Sequence, residues 1–149
     1  MTENIKDLVE SIGKKAKEAA LKLSTIDGDI KNKALKKTSE LIHFYSSELK
    51  EENNKDINIA KDNKLSSAII DRLTLNQTRI DDIIESIKKI IEMDDPIGKI
   101  ISEWKRPNGL HIKKISVPIG VIGIIYESRP NVTVDASAIT IKSGNSVIL

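Results

Sequence analysis

Ten consecutive residues decide the fold: Val117-Pro118-Ile119-Gly120-Val121-Ile122-Gly123-Ile124-Ile125-Tyr126. They carry no charge, and they predict a strand over 119–126 that is covered on both faces, as in a parallel sheet. A polar turn with one arginine follows, then a helix predicted over 131–142, then a second apolar strand that begins at Ser146. Strand, helix and strand within about thirty residues predict one βαβ crossover of an α/β protein. Such proteins usually bind ligands at the carboxyl ends of their strands.

Three glycines in this region have different expected roles. Gly144 follows the predicted helix and is placed to be its left-handed C-terminal cap. Gly120 and Gly123 lie within the strand, where glycine usually marks close backbone approach or tight packing. The spacing is compatible with a nucleotide lying against the strand or with packing alone. It is not the dinucleotide fingerprint, because those glycines belong in the turn after the strand.

Residues 1–98 are predicted to be helical. A first apolar stripe ends at a break over 25–29. Either Asp27 or Asp29 is placed to cap the next helix. A second apolar stripe begins at Ile30. The polar stretch 51–56 is expected to be an exposed helix face, and apolar residues continue beyond it. Ser66 is a predicted cap for a short helix through Arg72. The last helix is strongly periodic from Ile80 and ends before Pro96, because proline disfavours helical backbone in the residue before it.

Residues 99–117 predict a β-hairpin. Lys99–Lys105 and Leu110–Val117 are the strands, and Pro107-Asn108-Gly109 is the turn. Asn-Gly adopts positive φ readily and is a strong hairpin signal. The charged outward residues suit an exposed ribbon or an interface.

Composition excludes several classes of function. The net charge is +2, from 24 basic and 22 acidic residues, and aromatic residues make up 3%, so neither a basic face nor stacking rings for nucleic acid are expected. The chain has no cysteine, which excludes disulfides and thiol catalysis by this chain alone. His43 and His111 are isolated, and no metal site is predicted. With no leader and no membrane span expected, the chain is predicted to be cytoplasmic.

The turn after the long strand is the predicted site. Arg129 and the backbone N–H groups behind Pro130 suit a phosphate or a carboxylate, and Asn131 or Thr133 would add a donor. The alternative is a helix-capping cluster in which Arg129 pairs with Glu127 or Asp135. The residues alone do not separate these two interpretations.

The run from Pro118 through Tyr126-Glu127-Ser128-Arg129-Pro130-Asn131-Val132-Thr133-Val134-Asp135 closely resembles the gamma-glutamyl phosphate reductase family, within the aldehyde dehydrogenase superfamily. The resemblance continues through Ile139–Leu149 and extends back to 71–75, 79–80 and 94–98. It implies an incomplete α/β, aldehyde-dehydrogenase-like fold. Residues 1–98 would be the helical part of the cofactor-binding domain, 99–117 an oligomerisation hairpin, and 118–149 the start of a Rossmann-like sheet.

The resemblance also implies an activity. That activity is NADPH-dependent reduction of L-glutamate 5-phosphate to the semialdehyde and phosphate, the second step of proline synthesis. A cysteine thiolate would attack the acyl phosphate, and hydride would reduce the thioester. Implied partners are a second copy of the chain, through 99–117, and glutamate 5-kinase, which makes the acyl phosphate.

A few site residues carry over from the family. Ile125, Tyr126, Glu127 and Ser128 match the strand end that lines the cofactor groove in the superfamily. For the oxyanion or substrate-anion contact, ungapped alignment favours Arg129 and residue chemistry favours Asn131, so both stay candidates.

The missing cysteine sets the limit of the resemblance. The family's nucleophile lies beyond residue 149, so the chain is interpreted as a truncated, N-terminal third that is inactive alone. The rival interpretations are a non-catalytic interaction module or remnant, with the exposed ribbon as its contact surface, and another aldehyde dehydrogenase superfamily member.

Overall fold

Helices fill the first two thirds of the chain, and short strands come after them. The computed structural model describes residues 2–127 and 129–149. The helices that come first are α1 Thr2–Leu23, α2 Gly28–Phe44, α3 Ser46–Asp62, α4 Ser67–Leu73 and α5 Gln77–Glu92. They are followed by β1 Ile100–Lys105, β2 His111–Ile115, β3 Val121–Gly123, α6 Pro130–Lys142 and β4 Ser146–Ile148.

The core lies where α5 packs between α2 and α6. The isoleucines predicted to form one stripe of α5 face inward, and Ile80 and Ile87 are completely buried. Burial of each such side chain stabilises the folded state by about 1.5–3 kcal/mol relative to leaving it exposed. Leu35 of α2 and Ala138 of α6 complete the buried cluster. This packing fixes the position of α6 relative to α5, and the candidate site lies between those two helices.

The predicted βαβ crossover is confirmed. β3 and β4 are parallel, with Val121 opposite Ser146 and Gly123 opposite Ile148, and α6 connects them. α1 packs on this sheet, and the Ser146 hydroxyl donates a hydrogen bond to the carbonyl of Ala16 at 2.7 Å.

The predicted length and burial of the first strand are wrong. The strand was expected to be buried over 119–126, whereas β3 covers only Val121–Gly123. Ile119 is 85% exposed and Ile125 is fully exposed. The physical reason is that, among the described residues, β4 is the one strand paired with β3. A continuous apolar run predicts burial on both faces only where further strands and helices cover it.

A buried asparagine holds the chain segment that leads into β3. Asn145 Oδ1 accepts a hydrogen bond from the Gly120 N–H at 2.7 Å, and Asn145 Nδ2 donates to the Ser143 carbonyl at 3.0 Å. Gly120 has φ +118°, a conformation open to glycine and strained for other residues. Gly144 has φ +69° and forms the predicted left-handed cap. Gly120 therefore serves this local backbone geometry, which the sequence did not reveal.

The helix predicted to begin at Ile30 is in fact two helices. α2 ends at Phe44 and α3 begins at Ser46, with Tyr45 between them at ψ 15°. The residues at the junction are aromatic or serine, which favour the helix interior less than alanine or leucine do. Ser66 caps α4 as predicted by accepting from the Ile69 N–H. Asp27 occupies the N-cap position of α2, but its side chain forms no capping bond.

The predicted hairpin is confirmed. β1 and β2 pair antiparallel, Gly109 in the turn has φ +86°, and a register shift between Ile100 and Ser102 marks a bulge. Every residue of β1 is exposed. His111 Nε2 lies 3.2 Å from a carboxylate oxygen of Glu103 on the opposite strand, which gives this histidine a cross-strand role.

Two buried lysines join α2, α5 and α6. Lys31 Nζ lies 2.9 Å from Asp95 Oδ2, and Lys142 Nζ donates to Asn32 Oδ1 at 2.8 Å and to the Ile91 carbonyl at 2.9 Å. Lys31 and Lys142 are 3% and 4% exposed. A buried ammonium group needs such partners, because its desolvation otherwise costs several kcal/mol.

The pKa of Asp95 reflects this arrangement. Burial alone would raise the pKa of the carboxyl group, but the hydrogen bond from the Ile97 N–H and the charges of Lys31 and Lys142 outweigh burial. The pKa is therefore below its ordinary value. Asp94, next to it, is exposed and pairs with Lys99 at 3.1 Å on the surface.

The described parts of the chain contain neither a membrane-spanning helix nor a metal-binding cluster. Within residues 2–127 and 129–149, no helix combines the length and apolar character needed to cross a bilayer. The same residues contain no group of three histidine, aspartate or glutamate side chains placed to hold a metal ion.

Candidate functional site

A cleft of about 330 Å³ lies between the α4–α5 turn and the start of α6. Its size is at the lower end of the range for small-molecule sites. Both candidate anion contacts, Arg129 and Asn131, line this cleft, together with charged residues from α4 and α5. The charged lining residues are Asp71, Arg72, Arg79, Asp82, Arg129 and Asp135.

Arg79 fixes the wall formed by the α4–α5 turn. Its Nη1 donates to the carbonyl of Thr74 at 2.7 Å and also to the carbonyl of Asp71, and its Nη2 lies 3.0 Å from Asp71 Oδ1. One guanidinium group thus binds three acceptors on a single turn, which suits its planar set of donors. Arg79 therefore orders the wall of the cleft.

Asn53 supports the same turn from α3. Its Nδ2 donates to the Leu73 carbonyl at 2.9 Å, and its Oδ1 accepts from the Leu75 N–H at 2.6 Å. The prediction of an exposed face over 51–56 is wrong at this position, because Asn53 is 6% exposed. No local pattern marks this asparagine, since its partners lie twenty residues away.

We expect Asn53→Ala to destabilise the fold by about 2 kcal/mol, because it leaves a partly buried backbone N–H and a partly buried carbonyl without these partners. Asn54→Ala is the matched control, since Asn54 is exposed on the same helix, and its expected change is within about 0.5 kcal/mol. Urea unfolding followed by circular dichroism measures both. Equal effects of the two variants would contradict this role of Asn53.

The start of α6 forms the opposite wall. Pro130 is the first helical residue, as its fixed φ favours. Asp135 Oδ1 accepts from the Ser86 hydroxyl at 2.7 Å, and its Oδ2 accepts from Asn131 Nδ2 at 3.3 Å. The side chain of Asn131 is thus directed to Asp135, and the contact with Ser86 joins α6 to α5.

Arg129 occupies the N-cap position of α6 with an exposed side chain. Across residues 2–127 and 129–149 it forms no ion pair and no side-chain hydrogen bond. The pairing with Glu127 or Asp135, the alternative left open by the sequence, does not occur among these residues. A guanidinium group at the mouth of a cleft is available to an anion.

The segment that follows β3 precedes the start of α6, which lines this cleft. Ile125 and Glu127 are exposed there, and the Tyr126 hydroxyl lies 2.6 Å from Thr133 Oγ1 on α6. Ser128, the fourth predicted cofactor contact, lies outside the described residues. Apart from Gly123 and its chain neighbours, no atom of the described residues lies within 4 Å of where a Cβ at Gly123 would be, so the strand end is open on this side. The segment fits one wall of a cofactor groove, without a glycine-rich turn for phosphates.

Comparisons with known proteins identify relatives of this chain. No family model matches the chain. A Brucella suis protein named gamma-glutamyl phosphate reductase is 48% identical over all 149 residues. The chain is homologous to gamma-glutamyl phosphate reductase. A reductase of the same name from Halothermothrix orenii is 47% identical over 97% of the chain.

Solved structures agree. The crystal structure of gamma-glutamyl phosphate reductase from Thermotoga maritima matches 90% of the chain with a TM-score of 0.88 at 42% identity. The Saccharomyces cerevisiae reductase matches 93% of the chain with a TM-score of 0.89 at 31% identity. The predicted fold class is thereby confirmed as an incomplete part of the reductase fold.

The chain spans about a third of the length of these relatives. It covers 35% of the Brucella suis and Halothermothrix orenii reductases, and 32% of the Thermotoga maritima structure. The similarity therefore concerns one part of the reductase.

Proposed function

We propose that this chain forms one wall of the active site of an NADPH-dependent gamma-glutamyl phosphate reductase. The observation that supports the proposal most is the position of Arg129. It has no intramolecular partner among the described residues, and it lines the cleft at the start of α6. The reaction would reduce L-glutamate 5-phosphate to the 5-semialdehyde with release of phosphate, as a cytoplasmic step of proline synthesis.

Arg129 would act on the carbonyl oxygen of the substrate. When a thiolate attacks the acyl carbon, this oxygen gains negative charge until the carbon–oxygen bond to phosphate breaks. A guanidinium group stabilises that charge, and a donor of this kind contributes about 3 kcal/mol to the lowering of the barrier. Asn131 is the weaker candidate, because its amide already donates to Asp135. The pairing instead engages Asn131 in a contact within the first turns of α6.

The cofactor would lie along the end of β3. Ile125, Tyr126 and Glu127 are exposed there and would contact it, with Ser128 as the fourth expected contact. The bond between Tyr126 and Thr133 holds this segment against α6. When bound, the nicotinamide supplies the hydride that reduces the acyl group to the aldehyde.

The chain has no cysteine, so the thiolate would come from another part of the protein, and we propose that this chain alone is inactive. We also propose that the hairpin 99–117 mediates contact between copies of the protein, because all of β1 is exposed and, among the described residues, β1 pairs with β2 alone. Glutamate 5-kinase is the proposed source of the labile acyl phosphate. A purely structural interaction module is the competing function.

A chimera tests the proposal. This chain would replace the matching third of the Brucella suis reductase, and phosphate-dependent oxidation of glutamate 5-semialdehyde with NADP would be assayed. We expect a rate within about tenfold of the parent enzyme, since a tenfold difference is only about 1.4 kcal/mol in the barrier. A soluble but inert chimera would favour the interaction module.

The isolated chain serves as the second arm of the same assay, and there we expect no turnover. Measurable activity of the purified chain would overturn the proposal that the nucleophile is supplied from elsewhere.

A further inference from the structure

We propose that the cleft binds the amino-acid end of a zwitterionic substrate, with Asp82 receiving the α-ammonium group and Arg72 the α-carboxylate, while Arg129 faces the acyl-phosphate end, whose carbonyl oxygen it stabilises. This inference rests on the proposed function and extends it, because it assigns the substrate's recognition groups to this chain.

The charges of the cleft carry the inference. Of its three arginines and three aspartates, Arg79 and Asp71 neutralise each other in the wall. Asp135 has both oxygens engaged, by Ser86 and by Asn131.

The remaining lining charges are Arg72, Asp82 and Arg129. Among the described residues they form no ion pair and no side-chain hydrogen bond. Two cations and one anion therefore stay open to a ligand.

These three open charges match the charged groups of one class of ligand. An amino acid with an acyl phosphate carries one ammonium group, one carboxylate and one phosphate. It therefore needs one anionic and two cationic partners. A dinucleotide or free phosphate would leave Asp82 facing like charge, which is unfavourable. Leu75 and Ile83 also line the cleft and offer apolar contact to a short methylene chain.

The walls that present these groups are rigid. Arg79 and Asn53 both hold the turn that follows Arg72. Asp82 lies on α5 between Ile80 and Ile83, which are 0% and 5% exposed and anchor the helix in the core. Binding would therefore require little ordering of the protein, which favours recognition of a small ligand.

A non-hydrolysable analogue provides the test. L-2-amino-6-phosphonohexanoate has the ammonium, carboxylate and anionic phosphorus groups at the same spacing, with methylene groups in place of the carbonyl and of the bridging oxygen. Titration of the ¹⁵N-labelled chain should shift amide signals along α5 and the α4–α5 turn, with Kd on the order of millimolar. We expect Asp82→Asn and Arg72→Gln each to weaken binding about tenfold. Asp81→Asn, an exposed neighbour outside the cleft, should leave Kd unchanged.

A second ligand tests whether Asp82 recognises the ammonium group in particular. 6-Phosphonohexanoate lacks the amine, so Asp82→Asn should not weaken its binding. An equal loss for both ligands, or no shifts at the cleft with either one, would overturn the proposal. The outcome is separate from turnover, because an active chimera whose KM is unaffected by Asp82→Asn would retain the proposed function and reject this recognition.

Discussion

Asp95→Asn is expected to lower the free energy of unfolding by about 3 kcal/mol at pH 7. The substitution removes the carboxylate that lies 2.9 Å from Lys31 Nζ, and Lys31 is 3% exposed. Loss of one member of a buried pair leaves an uncompensated charge, and this accounts for most of the cost. Urea unfolding monitored by circular dichroism gives the value.

The loss of stability caused by Asp95→Asn should become smaller as the pH falls. The pKa of Asp95 is lowered in the folded state, so its contribution is complete above the ordinary carboxyl pKa, near 4. It is lost as the pH falls through the lower, folded-state pKa. The difference between wild type and Asp95→Asn should thus shrink below about pH 4.

Two further variants separate the buried pair from other causes. Asp94→Asn removes the adjacent, exposed carboxylate, which is 88% exposed and pairs with Lys99, and should cost less than about 1 kcal/mol. Adding Lys31→Met to Asp95→Asn should restore part of the lost stability, because the unpaired ammonium group is removed. Equal losses for Asp94→Asn and Asp95→Asn would contradict this explanation.

Arg129→Gln is expected to lower kcat of the Brucella suis chimera about 100-fold. That is the usual cost of removing one donor that stabilises developing charge on an oxygen. Stability should hardly change, because Arg129 is exposed and has no intramolecular ion pair among the described residues. The assay is the phosphate-dependent oxidation of glutamate 5-semialdehyde, with kcat and KM determined separately.

Lys36→Gln is the charge-matched control, since Lys36 is exposed on α2 and lies outside the cleft. We expect it to leave kcat unchanged. If Arg129→Gln raised KM alone, Arg129 would bind the ground state and transition state equally, and its proposed role on the oxyanion would be wrong.

Local patterns predicted most of the fold. The stripe of α5, the Asn108-Gly109 turn, the Ser66 cap and the Gly144 cap each depend on neighbours in sequence, and each is present. The βαβ crossover followed from two apolar runs separated by a helix of the expected length.

Features that depend on residues distant in sequence were not predicted. Asn53 is buried by a turn twenty residues away, and Asn145 holds Gly120 across twenty-five residues. The exposure of β3 had a similar cause, because a sequence shows that a strand is apolar but not how many strands cover it.

The site was predictable only in part. Arg129 and Asn131 were found from the turn chemistry, and both line the cleft. The opposite wall was not foreseen, since Arg72 on α4 and Asp82 on α5 resemble ordinary charges on exposed helix faces, and only the folded chain shows that they line one cleft with Arg129.

Lys142 also has a consequence for the chemistry of the folded chain. Its Nζ is enclosed by Asn32 and the Ile91 carbonyl, and Lys31 is enclosed in the same region by Asp95. An acylating reagent or an acetyltransferase needs a free, accessible amine, which neither residue offers while α2, α5 and α6 stay packed. These two amines are therefore protected from covalent modification by the fold itself, and their reactivity is tied to the opening of that helical contact.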